Sequence, residues 1–413
     1  MNGNDIIIIG GGPAGMMAAI SASKNASGVT LVEKTHSLGN KLLLTGNGRC
    51  NLTNICNLNT FLGKFSKNGQ FLRNAFNAFP NTDVINFFEE HGLKCTTESG
   101  EKVFPITDKA KNVLDILKNS MHRNNVTILY NSPVQKILSK DQKISGIKLK
   151  NGKTINAGEV ILATGGLSYP LTGSTGDGFK MAHHLGHTII PTGPALVPLI
   201  VKEKYPKQLM GLSLQNIALK IVCEKRKISS SKGDLLFTRK GLSGPIILSI
   251  SGLVSELLSK GENIHLILDQ FPETPKDAFS GVLKSYFKMH SSKSIKNNLK
   301  TFIPQKICDL FLNIAQIDPT KKSNQATQKE ILSLSSLCKE FSLSVSGTSP
   351  IAEAIITRGG IALKEIDPRT MSSRLIKGLY FAGEIIDLDG DTGGFNLQEA
   401  FSTGYLAGKS ASA

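Results

Sequence analysis

Asp5-Ile-Ile-Ile-Ile-Gly10-Gly-Gly-Pro-Ala-Gly15 is the stretch that decides the fold. Four isoleucines with no polar residue between them predict a strand buried on both faces, as in a parallel sheet. The strand runs straight into glycines, and Met16 to Lys24 follows without a breaker, rich in Ala and Met, as a helix. Pro13 suits a first helical turn, where its missing N–H costs nothing. Gly10, Gly12 and Gly15 form G-x-G-x-x-G. The first permits the tight turn, the second lets a pyrophosphate approach the backbone, and the third lets helix and strand pack closely. Together with Pro13 and Ala14 they place phosphates at the positive end of a helix dipole. Val29-Thr-Leu-Val32 reads as the second strand. Glu33 ends it, about 20 residues beyond the glycines, where an acid accepts from a ribose diol, and Lys34 follows.

The block Gly39-Asn-Lys41-Leu-Leu-Leu-Thr45-Gly46-Asn47-Gly48-Arg49-Cys50-Asn51 then distinguishes between dinucleotides. Three glycines, two cations and small polar side chains in one loop are superfluous for a nicotinamide. They suit a flavin, whose ring and phosphates need close backbone approach and a cation or two. Near the C-terminus, Gly378-Leu-Tyr-Phe-Ala-Gly383-Glu384 is an apolar strand ending in Gly-acid. Asp389-Gly-Asp-Thr-Gly393-Gly394-Phe395-Asn396-Leu397-Gln398 follows, and Glu399 to Gly408 is a helix of small residues. Strand, Gly-acid, glycine turn and helix is the arrangement with which two-dinucleotide-fold flavoproteins close over FAD. The helix N-terminus there faces the flavin pyrimidine and stabilises negative charge. Val160-Ile-Leu-Ala163-Thr164-Gly165-Gly166 is a further buried strand ending in glycines, and Asn151-Gly152 between alternating segments reads as a hairpin.

These blocks resemble a bacterial flavoprotein family, the YhiN-like proteins that include aminoacetone oxidase and the BaiN-type reductases of bile-acid metabolism. The likeness rests on residues 10–15 and 41–51, Val103-Phe-Pro105, residues 163–166, and Pro194-Ala-Leu-Val-Pro-Leu199. It also rests on Leu236-Phe-Thr-Arg-Lys-Gly-Leu-Ser-Gly-Pro245 and residues 389–398. The blocks span nearly the whole chain in order. The resemblance implies an α/β protein with a glutathione-reductase-type split FAD-binding Rossmann domain and tightly bound FAD. It implies an inserted substrate domain, β-rich and then helical. It also implies that the strand starting at Val134 contacts adenine, and that Cys50 belongs to an Arg-Cys-Asn motif.

The residues themselves support that layout. After Pro191-Thr-Gly-Pro194 short strands dominate to about 270, and the chain then reads helical with frequent lysines until Ser346-Gly347. The expected division is therefore 1–190 with 346–413 for FAD, and 191–345 as the insertion. At 413 residues the chain is too long for one ordinary domain. Gly, at 40 residues, exceeds the usual share of about 7 % and points to backbone packed against a ligand. The formal charge is +16. Residues 191–345 contain 22 Lys and Arg against 12 Asp and Glu, so the insertion holds +10 of it.

No apolar run approaches the roughly 20 residues of a membrane span, and the polar start is not expected to be a secretory signal. Six Cys without C-x-x-C argue against a disulfide or zinc scaffold. The expectation is a cytoplasmic enzyme with a small-molecule substrate, no membrane partner and no metal; the oligomeric state stays open. Asp387, Asp389 and Asp391 mimic a calcium loop, but Thr392 and Gln398 stand where Gly and Glu are needed. His183, His184 and His187 read as structural, with His187 at a helix end where a cation suits the dipole. With one G-x-G-x-x-G, either NAD(P)H visits the flavin transiently or electrons come from the substrate and leave to oxygen. The chemistry reads as NAD(P)H-dependent reduction of a small conjugated or carbonyl-bearing substrate. An amine-type oxidase and a tRNA-modifying flavoprotein remain open, although no RNA module is recognisable. No acid or base stands out. Arg49, Asn51 and Asn396 are candidates for orienting or polarising the flavin.

Overall fold

A computed structural model describes residues 5–65, 68–224 and 226–413. Two units emerge: one reaches Ala195 and resumes at Pro350, and the other is Leu196–Ser349.

The first unit is built on β1 (Ile6–Ile9), α1 (Pro13–Ala22), β2 (Val29–Val32), β3 (Thr127–Leu129), β4 (Glu159–Leu162), β5 (Leu379–Phe381) and α2 (Phe395–Ala411). The strands form one parallel sheet in the order β5-β4-β1-β2-β3. Its centre is β1, whose four isoleucines are at most 4 % exposed. A strand flanked by neighbours and covered on both faces tolerates no polar residue, which is why the run is unbroken. Helices α1 and α2 pack backbone to backbone. A Cβ on Gly404 would lie 2.3 Å from Ala14 O, and one on Gly408 would lie 2.3 Å from Ala18 O. Glycines four apart share one helix face, so this face admits α1 at a distance no side chain allows. The C-terminal segment is thereby drawn against the first β-α turn. A hairpin of Lys143–Leu149 and Thr154–Asn156 turns at Asn151-Gly152, and Val134–Lys140 extends it.

The second unit is a closed antiparallel barrel. Its strands run Leu199–Val201, Gly241–Ser243, Arg226–Phe237, Ser213–Cys223, Ile264–Asp269 and Phe341–Thr348, and the last pairs with the first. Leu219, Ile221, Leu235, Phe237, Leu266 and Leu343 fill its core. The structure differs from the sequence-based expectation in two ways. Phe341–Thr348 returns to the barrel, so the helices Lys276–Met289, Ile295–Leu299, Gln305–Ile314 and Gln328–Lys339 are an excursion between two adjacent barrel strands. And Pro245–Ser259, inside the segment expected to be strands, is a helix. Its isoleucines read as a strand, but Ile246, Ile250 and Val254 recur every four residues and are buried, and Pro245 stands in the first turn. Among the described residues no helix is long and apolar enough to cross a membrane.

Candidate functional site

The turn between β1 and α1 separates two kinds of glycine. Gly10 has φ +109°, and a Cβ there would lie 2.5 Å from Ala163 O; at Gly15 it would lie 1.9 Å from Gly10 O. Packing within the protein demands both. A Cβ on Gly12 would meet nothing within 4 Å, and its φ of −79° suits any residue. Among the described residues no atom explains a glycine there, so the open side of Gly12, beside Pro13 at the first turn of α1, fits an approaching pyrophosphate. Thr164, at the end of β4, offers a second sign. Its Oγ1 is buried without a protein partner among the described residues. These features fit FAD.

Glu33 folds back onto the glycine turn. Its Oε2 accepts from Gly11 N (2.8 Å), and its Oε1 accepts from Thr35 N and Thr35 Oγ1 (both 2.8 Å). The next residue, Lys34, donates to Thr175 Oγ1 (2.5 Å) and Asp177 Oδ2 (2.7 Å). Burial pushes the Asp177 carboxyl up, but Lys34 and Thr175 outweigh it and the net shift is downward. Val134, half-buried, opens its strand opposite Leu149.

The glycine loop 39–51 is bound to the segment after β5 by an ion pair. Lys41 Nζ lies 2.5 Å from Glu384 Oε2 and 2.7 Å from Ser168 Oγ. Glu384 Oε1 also accepts from Thr357 N (2.7 Å) and Ser168 Oγ (2.9 Å). Leu167 N and Ser168 N donate to Thr357 Oγ1 at 2.7 and 3.1 Å. Gly166 is part of this knot, since a Cβ would lie 2.2 Å from Thr357 Oγ1. Gly165 (φ +69°) and Gly383 (φ +74°) turn the chain at the ends of β4 and β5. Neither Ser168 nor Thr357 is visible in the sequence as a site residue. The nearest signal is a threonine before Gly359-Gly360 in an apolar strand. Replacing Glu384 by Gln leaves Lys41, only 20 % exposed, without its anion. We expect a loss of roughly 2 kcal/mol of stability, read by denaturant unfolding, together with weaker FAD retention, read by cofactor release.

Farther along the loop, Thr45 Oγ1 donates to Leu42 O, and Gly46, Asn47, Gly48 and Cys50 all have positive φ. Burial pushes the Cys50 thiol up to about 12, so it is protonated and no nucleophile. Cys56 is also buried, and all six cysteines are free. With its amide nitrogen facing Thr53 O and Val103 O, Asn51 accepts from Gly394 N at 2.9 Å and joins the two glycine loops. Asn396 clamps its own turn. Its Oδ1 accepts from Gly390 N and its Nδ2 donates to Gly390 O, both at 2.8 Å. Gly393 and Gly394 lie on that turn, with Gly394 pressed onto Thr53, 2.4 Å from where a Cβ would be. Phe395 meets Phe61 edge-on, and Leu397 is half-buried. Arg49, by contrast, is bound by Glu98 and by Asp108 (2.7 Å to Nε) and lies over the Phe104 ring at 4.2 Å. Its charge is answered by the 95–108 segment, whereas Asn51 and Asn396 hold the glycine turn at the start of α2.

Two buried titratable groups stand apart from the sequence-based expectation: Glu399 carries no signal there, and His187 carries one that misleads. Glu399, in α2, is 4 % exposed; burial, and then Glu384, push its carboxyl up to about 8. Its Oε1 has no hydrogen-bond partner among the described residues. His187 differs from the expected cation. It is 1 % exposed, edge-on to Phe381, with Nε2 3.0 Å from Ser373 Oγ. Burial lowers its pKa more than nearby Glu365 raises it, so the ring is neutral at pH 7.

Comparison with known proteins places this geometry in context. The family described as HI0933-like protein Rossmann domain matches residues 4–410. The chain is 31 % identical to a 3-dehydro-bile acid delta(4,6)-reductase of Clostridium scindens, over 99 % of both proteins. It is also 31 % identical to a ribosomal RNA dihydrouridine synthase of Escherichia coli, over 97 % of this chain and 96 % of that one. Among solved structures it is similar to 3-ketosteroid delta1-dehydrogenase from Sterolibacterium denitrificans, with a TM-score of 0.51, 14 % identity and 99 % of both chains covered. That likeness concerns the fold.

Proposed function

For this chain, which belongs to the HI0933-like Rossmann family and is an FAD-dependent oxidoreductase, we propose the reduction of a carbon–carbon double bond conjugated to a carbonyl, with NAD(P)H as reductant. One observation carries the reading. Two relatives, each 31 % identical over nearly the whole chain, bear names that share one chemistry. A delta(4,6)-reductase of a 3-oxo steroid saturates double bonds conjugated to the 3-carbonyl. A dihydrouridine synthase saturates the C5–C6 bond of uracil, conjugated to the C4 carbonyl. Saturating such a bond puts a hydride on its far carbon, β to the carbonyl or δ in a dienone, and a proton on the neighbouring carbon. For this chain NAD(P)H supplies the hydride and leaves as NAD(P)+, and the proton comes ultimately from water.

Bound FAD supplies a two-electron carrier between reductant and substrate. The protein's part is to hold it and to shape the electrostatics around it. Gly12 and the N-terminus of α1 take the pyrophosphate, and Glu33 takes a ribose hydroxyl. The Lys41–Glu384 pair joins the two loops that flank the cofactor. Asn51 and Asn396 fix the glycine turn so that the N-terminus of α2 meets the flavin pyrimidine. An NAD(P)H-fed enzyme with six free thiols fits the cytoplasm.

Two substrates fit this chemistry, a small anionic conjugated carbonyl compound and uridine in RNA. The charge favours the second. The unit Leu196–Ser349 carries 22 Lys and Arg against 12 Asp and Glu, net +10, whereas one carboxylate needs a single cation.

Anaerobic stopped-flow mixing tests the reading. NADPH or NADH should bleach the flavin band, and an enone or a uridine oligonucleotide should restore it with a mass gain of two hydrogens. Bleaching by amines alone, with peroxide formed in air, would instead establish the amine-oxidase alternative.

A further inference from the structure

The helix Lys276–Met289, in the excursion from the barrel, presents an unusual face to solvent. Ala278, Gly281, Val282, Ser285, Tyr286 and Met289 form one stripe and, with Thr301 and Phe302, line an open groove of about 780 Å³. Val282 is 44 % exposed and Met289 78 %. The helix is anchored from its other side by Phe279, Leu283 and Phe287, all buried. The stripe is therefore surplus to what holds the helix in place. Its floor is made of small side chains, with Ala278, Gly281 and Ser285 keeping it flat. One wall is Tyr286, its ring stacked on His290 at 4.3 Å and edge-on to Phe302 at 4.8 Å.

The charges around this groove are not balanced. In the same helical segment Lys276, Lys296, Lys321 and Lys339 pair with Glu340, Asp309, Glu330 and Asp269. Lys284, Lys288, Lys293 and Lys300 form no ion pair among the described residues. Lys284 lies three residues beyond the lining residue Gly281 and Lys288 three beyond Ser285, so both flank the stripe, and Asp277, four residues before Gly281, is the one acid of the helix on that flank. Lys293 follows in the turn after the helix. An apolar floor flanked by the unpaired Lys284 and Lys288 matches a polyanion with flat apolar parts: bases settle on the floor and the Tyr286 wall, and phosphates meet the lysines. A partner helix with acidic flanks would meet the lysines too; RNA is preferred because the function proposed above already brings it to this protein, and the net +10 of this unit suits a polyanion.

We propose that this groove docks a single-stranded or looped segment of RNA and holds it to the enzyme. This rests on the RNA branch of the function proposed above. From the sequence these lysines read as a solvated helical face. The structure adds the apolar groove between them.

The test uses the FAD-loaded full-length protein and a fluorescent RNA oligonucleotide containing a uridine-rich loop, read by anisotropy across a salt series. The charge-reversed double variant Lys284→Glu/Lys288→Glu should bind about tenfold or more weakly, with a log–log salt slope shallower by roughly 0.7 for each phosphate no longer neutralised. Val282→Asp, with the lysines intact, should weaken binding but leave the slope unchanged. FAD content and melting temperature report that the variants are folded. RNA binding by the double variant equal to wild type, or no binding by the wild-type protein, overturns the proposal. An effect of Val282→Asp with none of the double variant overturns it too, and points to an apolar protein partner. Reduction of a free enone is measured separately, so a failed groove leaves the double-bond chemistry standing. If instead RNA binds at the groove while no conjugated double bond is reduced, the function proposed above fails and the groove stands.

Discussion

Replacing Gly12 by valine is expected to yield a folded, stable and colourless protein. Gly10 and Gly15 cannot accept a side chain, because one would enter Ala163 O and the other Gly10 O. Gly12 differs. A Cβ there meets no atom of the described residues within 4 Å, and its backbone conformation is ordinary. The two branches of valine would occupy the space through which a pyrophosphate approaches the first turn of α1. FAD affinity should fall by roughly a hundredfold or more, while the melting temperature of the cofactor-free protein stays within a degree or two of wild type. The ratio of flavin to protein absorbance and a thermal melt of both apo-proteins check it. Gly15→Ala serves as the opposite control, since it should lose the fold along with the flavin. If valine at position 12 leaves FAD in place, the pyrophosphate lies elsewhere.

Glu399→Gln is expected to stabilise the protein, and more so as pH rises. The folded chain holds the Glu399 proton up to about pH 8, whereas an unburied glutamate releases it near 4.5. Between those values the unfolded state has lost a proton that the folded state keeps, so stability falls with rising pH; above about 8 the full cost of the buried charge stands. The whole effect is on the order of 5 kcal/mol. Glutamine keeps the shape without the charge. Its melting temperature should match wild type at pH 5 and exceed it by several degrees at pH 9. His187 acts at the other limb. Its lowered pKa means that the unfolded chain gains a proton first as pH falls below about 6.5, so acid removes stability there. Comparing the variant with wild type at each pH isolates Glu399 from that background. Equal curves at pH 9 would mean that the Glu399 carboxyl reaches water.

The sequence was most legible where a local rule has a single physical solution. Four consecutive isoleucines suit only a strand covered on both faces, and β1 is that strand. Asn151-Gly152 between alternating segments makes a hairpin because the turn needs positive φ, and Gly152 has φ +90°. Reading was weaker where two rules compete. The isoleucines of Pro245–Ser259 satisfy both a strand and a buried helix, and the strand reading lost to the spacing of Ile246, Ile250 and Val254. Arg49 is a candidate to orient the flavin because it stands in a glycine loop, and its present partners lie outside that loop. Glu98 and Asp108, which take its charge, lie 49 and 59 residues away.

By itself the sequence determined the dinucleotide turn, the parallel sheet around it and the glycine loops suited to FAD. Each follows from backbone conformation and burial within a few neighbouring residues. Only the tertiary structure decided what those segments meet. The Lys41–Glu384 pair joins residues 343 apart, and Ser168 and Thr357 complete it from two further segments. The proton on Glu399 depends on the packed chain burying its carboxyl near Glu384, and only the fold sets Lys284 and Lys288 on the flank of an apolar groove. Proximity and desolvation are properties of the packed chain, and no spacing along the sequence encodes them.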